Sequence, residues 1–266
     1  MGANKSEVSL IRYDIPTRDG VCPAYAFHPE SAAPSPGVLM FMDGQGIRPA
    51  MLEVAERLSR SGYFVVLPDL FYRSGPYAPI DPRHLHANPE LRAAHREKFM
   101  APTTPERVMS DTGSILEFMA THPDKAPGQV GVVGYCMGGR FAMMAAGTFG
   151  DAIGAAASYH GGGLATDAAS SPHLLAPDIK ARVYVAGAVE DANFTDEVKA
   201  RLESALQAGG VAHKVETYPA RHGWVLRDTA AYDEAECAHH WDTLLELFGE
   251  ALKRPESPSL VGAYKI

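Results

Sequence analysis

Apolar residues along this chain fall into short runs of strand length, separated by segments in which they recur every three or four positions. Residues 37–42 (GVLMFM), 63–67 (YFVVL), 130–133 (VGVV), 155–159 (AAASY) and 182–187 (RVYVAG) are largely apolar on both faces, as buried central strands are. Residues 213–218 (HKVETY) alternate more and read as a strand nearer an edge. Residues 8–14 and 21–27, joined by the turn TRDG, predict an opening hairpin.

The intervening segments carry a helical period. In 49–61, Met51, Leu52, Val54, Ala55 and Leu58 form one stripe, with Glu53–Arg57 and Glu56–Arg60 as outward pairs. Thr104 and Pro105 open a helix whose apolar face is Val108, Ile115, Leu116 and Met119. Residues 137–148, 195–208 and 231–252 supply three more. Strands alternating with helices predict an α/β fold, a mostly parallel central sheet with helices on both faces. The expected organisation is a single domain over residues 1–266. Its two irregular parts are a proline-rich flap at about 69–103 and a C-terminal tail at about 253–266, KRPESPSLVGAYKI. Aromatic residues in the flap favour an ordered lid, with a short helix near 89–99.

Composition narrows the function. The 266 residues are 46% hydrophobic, enough for a sizeable core, and the net charge of −8 disfavours nucleic acid or an anionic membrane as partner. A small molecule is the expected partner, bound by a monomer or small homo-oligomer. No apolar run approaches the roughly 20 residues of a membrane span, and MGANKSEVSL lacks the apolar core of a signal peptide. A cytoplasmic location is therefore expected. Cys22, Cys136 and Cys237 are too few and too scattered for a disulfide framework or a C-x-x-C metal site. Cys22 and Cys237 read as buried apolar residues.

Cys136 has different surroundings. Strand 130–133 leads into Gly134-Tyr135-Cys136-Met137-Gly138, and a helical segment follows at once. That is the strand, turn and helix context of the G-x-nucleophile-x-G elbow, with a thiol in place of the usual serine. A thiol at a helix N-terminus is poised to ionise. The acid and base of such a triad follow in chain order, each after a later strand. AVEDANF offers Asp191, with Glu190 the weaker choice, and ARHGW offers His222. The oxyanion hole would use the N–H groups of Met137 and of Gly44, in the loop MDGQGI after strand 37–42, which sets Asp43 and Gln45 beside the thiol. His84, His86, His95, His213, His239 and His240 read as ordinary surface or packing residues. No metal site or organic cofactor is expected, since no ligand set, P-loop or G-x-G-x-x-G is present.

Taken together, GYFVVLPDLFYR, VGVVGYCMGG, GAVED and RHGW resemble the dienelactone hydrolase family of cysteine α/β-hydrolases. The resemblance implies an α/β-hydrolase fold and the hydrolysis of small esters or lactones by Cys136, Asp191 and His222 through a thioester. It also implies arginines for a substrate carboxylate. Arg73 matches the first, and Arg227 lies one residue further from the histidine than the family spacing. The family has glutamate where this chain has Asp43, so thiol activation by that residue is not assured. A redox-responsive binding protein using Cys136 as an oxidisable thiol is the alternative, and a serine-esterase-like enzyme for peptides or long acyl chains is a third reading.

Overall fold

A computed structural model describes residues 8–31 and 33–252. The proposed tail at 253–266 lies outside them. The chain opens with strands β1 (Ser9–Thr17) and β2 (Gly20–His28), followed by β3 (Gly37–Phe41), helix α1 (Pro49–Arg60) and β4 (Phe64–Pro68). After the flap come α4 (Pro105–Thr121), β5 (Val130–Tyr135), α5 (Met137–Thr148) and β6 (Ile153–Tyr159). The remainder is β7 (Arg182–Glu190), α6 (Asp196–Ala208), β8 (His213–Arg221) and α7 (Glu234–Ala251). The eight strands form one sheet in the order β1-β2-β4-β3-β5-β6-β7-β8. The hairpin β1–β2 joins β4 antiparallel and the other neighbours are parallel, an α/β-hydrolase arrangement.

Position in the sheet follows the residue pattern. Strands β3 to β6 are buried along their whole lengths because helices cover both faces, which is why their sequences are continuous apolar runs. The alternating β8 lies at one edge and the largely exposed β1 at the other. Helix α1 buries Met51, Val54, Ala55 and Leu58 as its stripe requires, while Leu52 is only partly covered. Among the described residues no helix is long and apolar enough to cross a membrane.

The flap is ordered and more helical than its sequence suggested. It contains α2 (Pro82–Ala87) and α3 (Pro89–His95), and α3 runs into a π-helical turn at Arg96–Met100. Asp81 and Asn88 cap the two helices by accepting the amides of Arg83 and Leu91, and each is followed by a proline in the first turn. Phe71, Tyr77, His95 and Phe99 pack into an aromatic cluster beneath it. Tyr77 ties the cluster to the sheet, donating to Asp69 at 3.0 Å and accepting the Ile47 amide at 2.9 Å.

Two glycines let β5 turn sharply into α5. A Cβ on Gly134 would sit 2.0 Å from the Gly138 carbonyl oxygen, and one on Gly138 would sit 2.4 Å from the Phe41 oxygen. Strand and helix backbones therefore meet only because both positions lack side chains. Cys136, between them, is held at φ 53° and ψ −116°, a conformation that non-glycine residues rarely adopt.

Candidate active site

Parallel strands bring their carboxyl ends to one side of the sheet, so the residues after β3, β5, β6, β7 and β8 converge there. Cys136, partly exposed, follows β5 and lies at the wall of a cavity of about 620 Å³ roofed by the flap. Asp191 follows β7, and its Oδ2 lies 2.6 Å from His222 Nδ1, after β8. Asn193 fixes the other carboxylate oxygen through its backbone N–H at 2.9 Å and its side-chain amide at 3.0 Å. The side chain of Glu190 points to solvent, and its carbonyl accepts the His222 amide at 3.4 Å.

The charges are coupled. Burial alone would raise the Asp191 pKa, but hydrogen bonds and charge from His222, with the Asn193 donors, hold it below the ordinary carboxylate range. Burial would lower that of His222, but its hydrogen bond to Asp191, the interaction with the nearby Cys136 sulfur and the Asp191 charge raise it from 6.5 to about 10. The imidazolium is thus the resting form at neutral pH, with Asp191 fixing its orientation.

A pH dependence follows from that shift. A histidine whose folded-state pKa is raised stabilises the fold fully below its unfolded value of about 6.5 and loses that contribution as pH rises through about 10. In Asp191→Asn the His222 titration is expected to move down toward its ordinary value, and the stability gap to wild type to close between those two pH values. Imidazole proton NMR and melting curves across that range measure both. An unmoved titration would remove Asp191 as the cause.

Met137 is the first residue of α5, so its amide has no acceptor within the helix. It lines the cavity together with Gly44, whose carbonyl accepts from His95 Nε2 at 2.7 Å, tying the flap to the loop after β3. Asp43 is not on the cavity wall. Its carboxylate is turned into a bidentate pair with Arg48, at 2.7 and 2.9 Å, and accepts the Gln45 amide at 3.0 Å. Arg48 also binds Asp228 at 2.6 Å, and both Asp43 and Arg48 are 2% exposed. Gln45 faces the cavity instead. With the amide oriented to match its neighbours, its nitrogen donates to Asp43 at 2.6 Å and its oxygen accepts from His86 Nε2 at 3.2 Å.

Neither arginine suggested by sequence reaches the cavity. Arg73 is bidentate to the buried Asp111 at 2.7 and 2.8 Å and binds Asp19 at 2.9 Å, so its guanidinium holds the β1–β2 hairpin and α4 together. Arg227 is exposed, lies 6.0 Å from the Tyr232 ring centroid, and borders a separate cavity beside Arg83 and Asp228. The cavity wall carries other cations: Arg92 and Arg96 from the flap and Arg140 from α5. Among the described residues none of these three is in an ion pair, and no aspartate or glutamate lines the cavity. The spacing of Arg92 and Arg96, four residues apart, was a signal that the proline-rich surroundings obscured.

His160 is the other residue missed by sequence. It follows β6 at φ 42°, buried, and its Nδ1 accepts the Cys136 amide at 3.0 Å, so it supports the elbow from below. Burial, and the charge of the neighbouring His222, keep it neutral. Among the described residues one group could hold a metal by geometry: His28, His122 and Asp124, whose ligand atoms lie within 4.8 Å of one another. His28 ends β2, which runs against the parallel strands, so this group sits at the opposite end of the sheet.

Comparison with known proteins adds a relationship to this geometry. The model of the dienelactone hydrolase family matches residues 22–252. A Synechocystis protein carrying an inferred carboxymethylenebutenolidase name is 25% identical over 245 residues, 90% of this chain and 96% of that one. The carboxymethylenebutenolidase of Pseudomonas putida is 28% identical over 145 residues, 54% of this chain and 58% of that one. Among solved structures, an inferred dienelactone hydrolase of Klebsiella pneumoniae superposes with a TM-score of 0.80 at 23% identity, covering 92% of this chain and 99% of that one.

Proposed function

The chain belongs to the dienelactone hydrolase family, and from that premise we propose that it hydrolyses small carboxylate-bearing esters or lactones through a thioester on Cys136. The observation that carries this reading is the hydrogen-bonded Asp191–His222 pair, whose imidazole lines the same partly enclosed cavity as a thiol at a strained elbow.

The Cys136 sulfur, whose proton resides on His222 as the imidazolium, attacks the substrate carbonyl, and the N–H groups of Met137 and Gly44 receive the oxyanion. His222, resting as the imidazolium, gives its proton to the departing alkoxide, which in a lactone stays attached to the acyl group. The now neutral His222 takes a proton from water as that water attacks the thioester. The carboxylic acid leaves, and sulfur and imidazolium return to their starting forms. Asp191 keeps the imidazole aligned at each stage. Asp43, where the resemblance implies a thiol-activating glutamate, is held by Arg48 away from the cavity, so activation falls to His222.

The guanidinium groups of Arg92 and Arg96 support a substrate carrying a carboxylate, since unpaired cations on a partly enclosed wall favour an anionic partner. The test compares a carboxylated butenolide with 4-nitrophenyl acetate. Both are expected to be cleaved, the butenolide with the higher kcat/KM. Replacing Arg92 and Arg96 together by glutamine should raise KM for the butenolide about tenfold, the worth of a charge-assisted hydrogen bond. Failure to cleave either compound would overturn the hydrolase reading.

A further inference from the structure

We propose that Arg140 forms a second anion subsite in the same cavity, so that the preferred substrate carries two negative groups flanking the scissile carbonyl. The catalytic half of this inference rests on the ester-hydrolase reading above; the binding half does not.

Arg140 is in the first turn of α5, four residues beyond Cys136. A cation there opposes the helix dipole, whose N-terminal end already carries partial positive charge, so local helix stability gives no reason for it. The partners of Arg140 are weak. Its Nη2 donates to the Ser170 carbonyl at 3.4 Å and to the Ser170 hydroxyl at 3.3 Å, both long and both neutral. Its Nε is buried and has no hydrogen-bond partner. Glu106 feels its charge but makes no ion pair with it among the described residues. A half-covered guanidinium left in this state is costly unless an anion completes it.

The setting leaves room for that anion. Arg140 lines the cavity beside Gly162 and Gly163, where no side chain intervenes; a Cβ on Gly163 would be 3.8 Å from Arg140 Cδ. Arg92 and Arg96 belong to the flap, whereas Arg140 belongs to the wall built by α5 and the loop after β6. The cations therefore reach the cavity from two separate elements, with Cys136 and His222 on the same cavity. One carboxylate occupies one set and leaves the other unpaired; two carboxylates satisfy both.

Binding and turnover test this together. Calorimetry with glutarate and valerate, chains of equal length bearing two and one carboxylates, is run on wild type, Arg140→Gln and Arg140→Lys. Glutarate should bind wild type about tenfold tighter, Arg140→Gln should abolish that advantage, and Arg140→Lys should keep part of it. Equal binding of the two acids to wild type, or a glutarate advantage unchanged in Arg140→Gln, overturns the subsite. Turnover is read on phenyl acetate, phenyl hemisuccinate, 4-carboxyphenyl acetate and 4-carboxyphenyl hemisuccinate, corrected for spontaneous hydrolysis. The doubly charged ester should have the highest kcat/KM, and its ratio to phenyl acetate should fall about tenfold in Arg140→Gln. If no ester is cleaved while the glutarate advantage still depends on Arg140, the hydrolase reading fails and the subsite stands.

Discussion

Cys136→Ala is expected to reduce ester hydrolysis by at least about 10³-fold, because it removes the proposed nucleophile while leaving the proposed oxyanion donors and the cavity in place. The fold should persist. Cys136 is half-buried at a turn whose geometry is set by Gly134, Gly138 and the His160 ring, none of which needs the sulfur. Steady-state rates on 4-nitrophenyl acetate, read beside a melting curve, separate lost chemistry from lost structure. A variant that keeps wild-type rates would remove Cys136 from the mechanism. Loss of both rate and melting transition would instead make it structural.

The largest expected effect on stability belongs to Arg48→Met. Asp43 is 2% exposed and depends on Arg48 for both of its ionic contacts, and the same guanidinium binds Asp228. Removing it leaves a buried carboxylate with only the neutral Gln45 donors and no counter-charge, which costs about 3–5 kcal/mol. The loop of residues 43–46 would lose its anchor as well, so the Gly44 amide should lose its alignment and kcat should fall with stability. Urea denaturation gives the first quantity and initial rates the second. In the double variant Arg48→Met/Asp43→Leu the stranded charge is gone, and part of the stability should return. A loss below about 1 kcal/mol in the single variant would show that Asp43 finds another partner or takes up a proton.

How much of this was legible in the sequence divides along the range of the interactions involved. The strands, the main helices and the elbow are written in local patterns: continuous apolar runs for β3 to β6, an alternating run for the edge strand β8, and glycines bracketing Cys136. Chain order and strand ends likewise brought Asp191 and His222 into view, and the structure sets them 2.6 Å apart. The charged partners were not legible. Arg73 sits in a recognisable stretch, but Asp111 and Asp19, far away in sequence, claim it. Asp43 reads as a residue beside the thiol, yet Arg48 turns it away, a contact fixed by side-chain direction that residue spacing does not encode. The flap hid Arg92 and Arg96 because its prolines break the helical period into two short capped pieces. Arg140 was in plain sight after GYCMGG, but its lack of a counter-charge emerges only from the packed structure.

The proposed mechanism requires a covalent acyl group on Cys136, and mass spectrometry of protein quenched in acid during turnover of 4-nitrophenyl acetate detects it most directly. The expected result is an acetyl mass on the peptide containing Cys136, more abundant in His222→Ala, where the attacking water has lost its base, and absent in Cys136→Ala. Continued hydrolysis with Cys136 unmodified at every time point would contradict it.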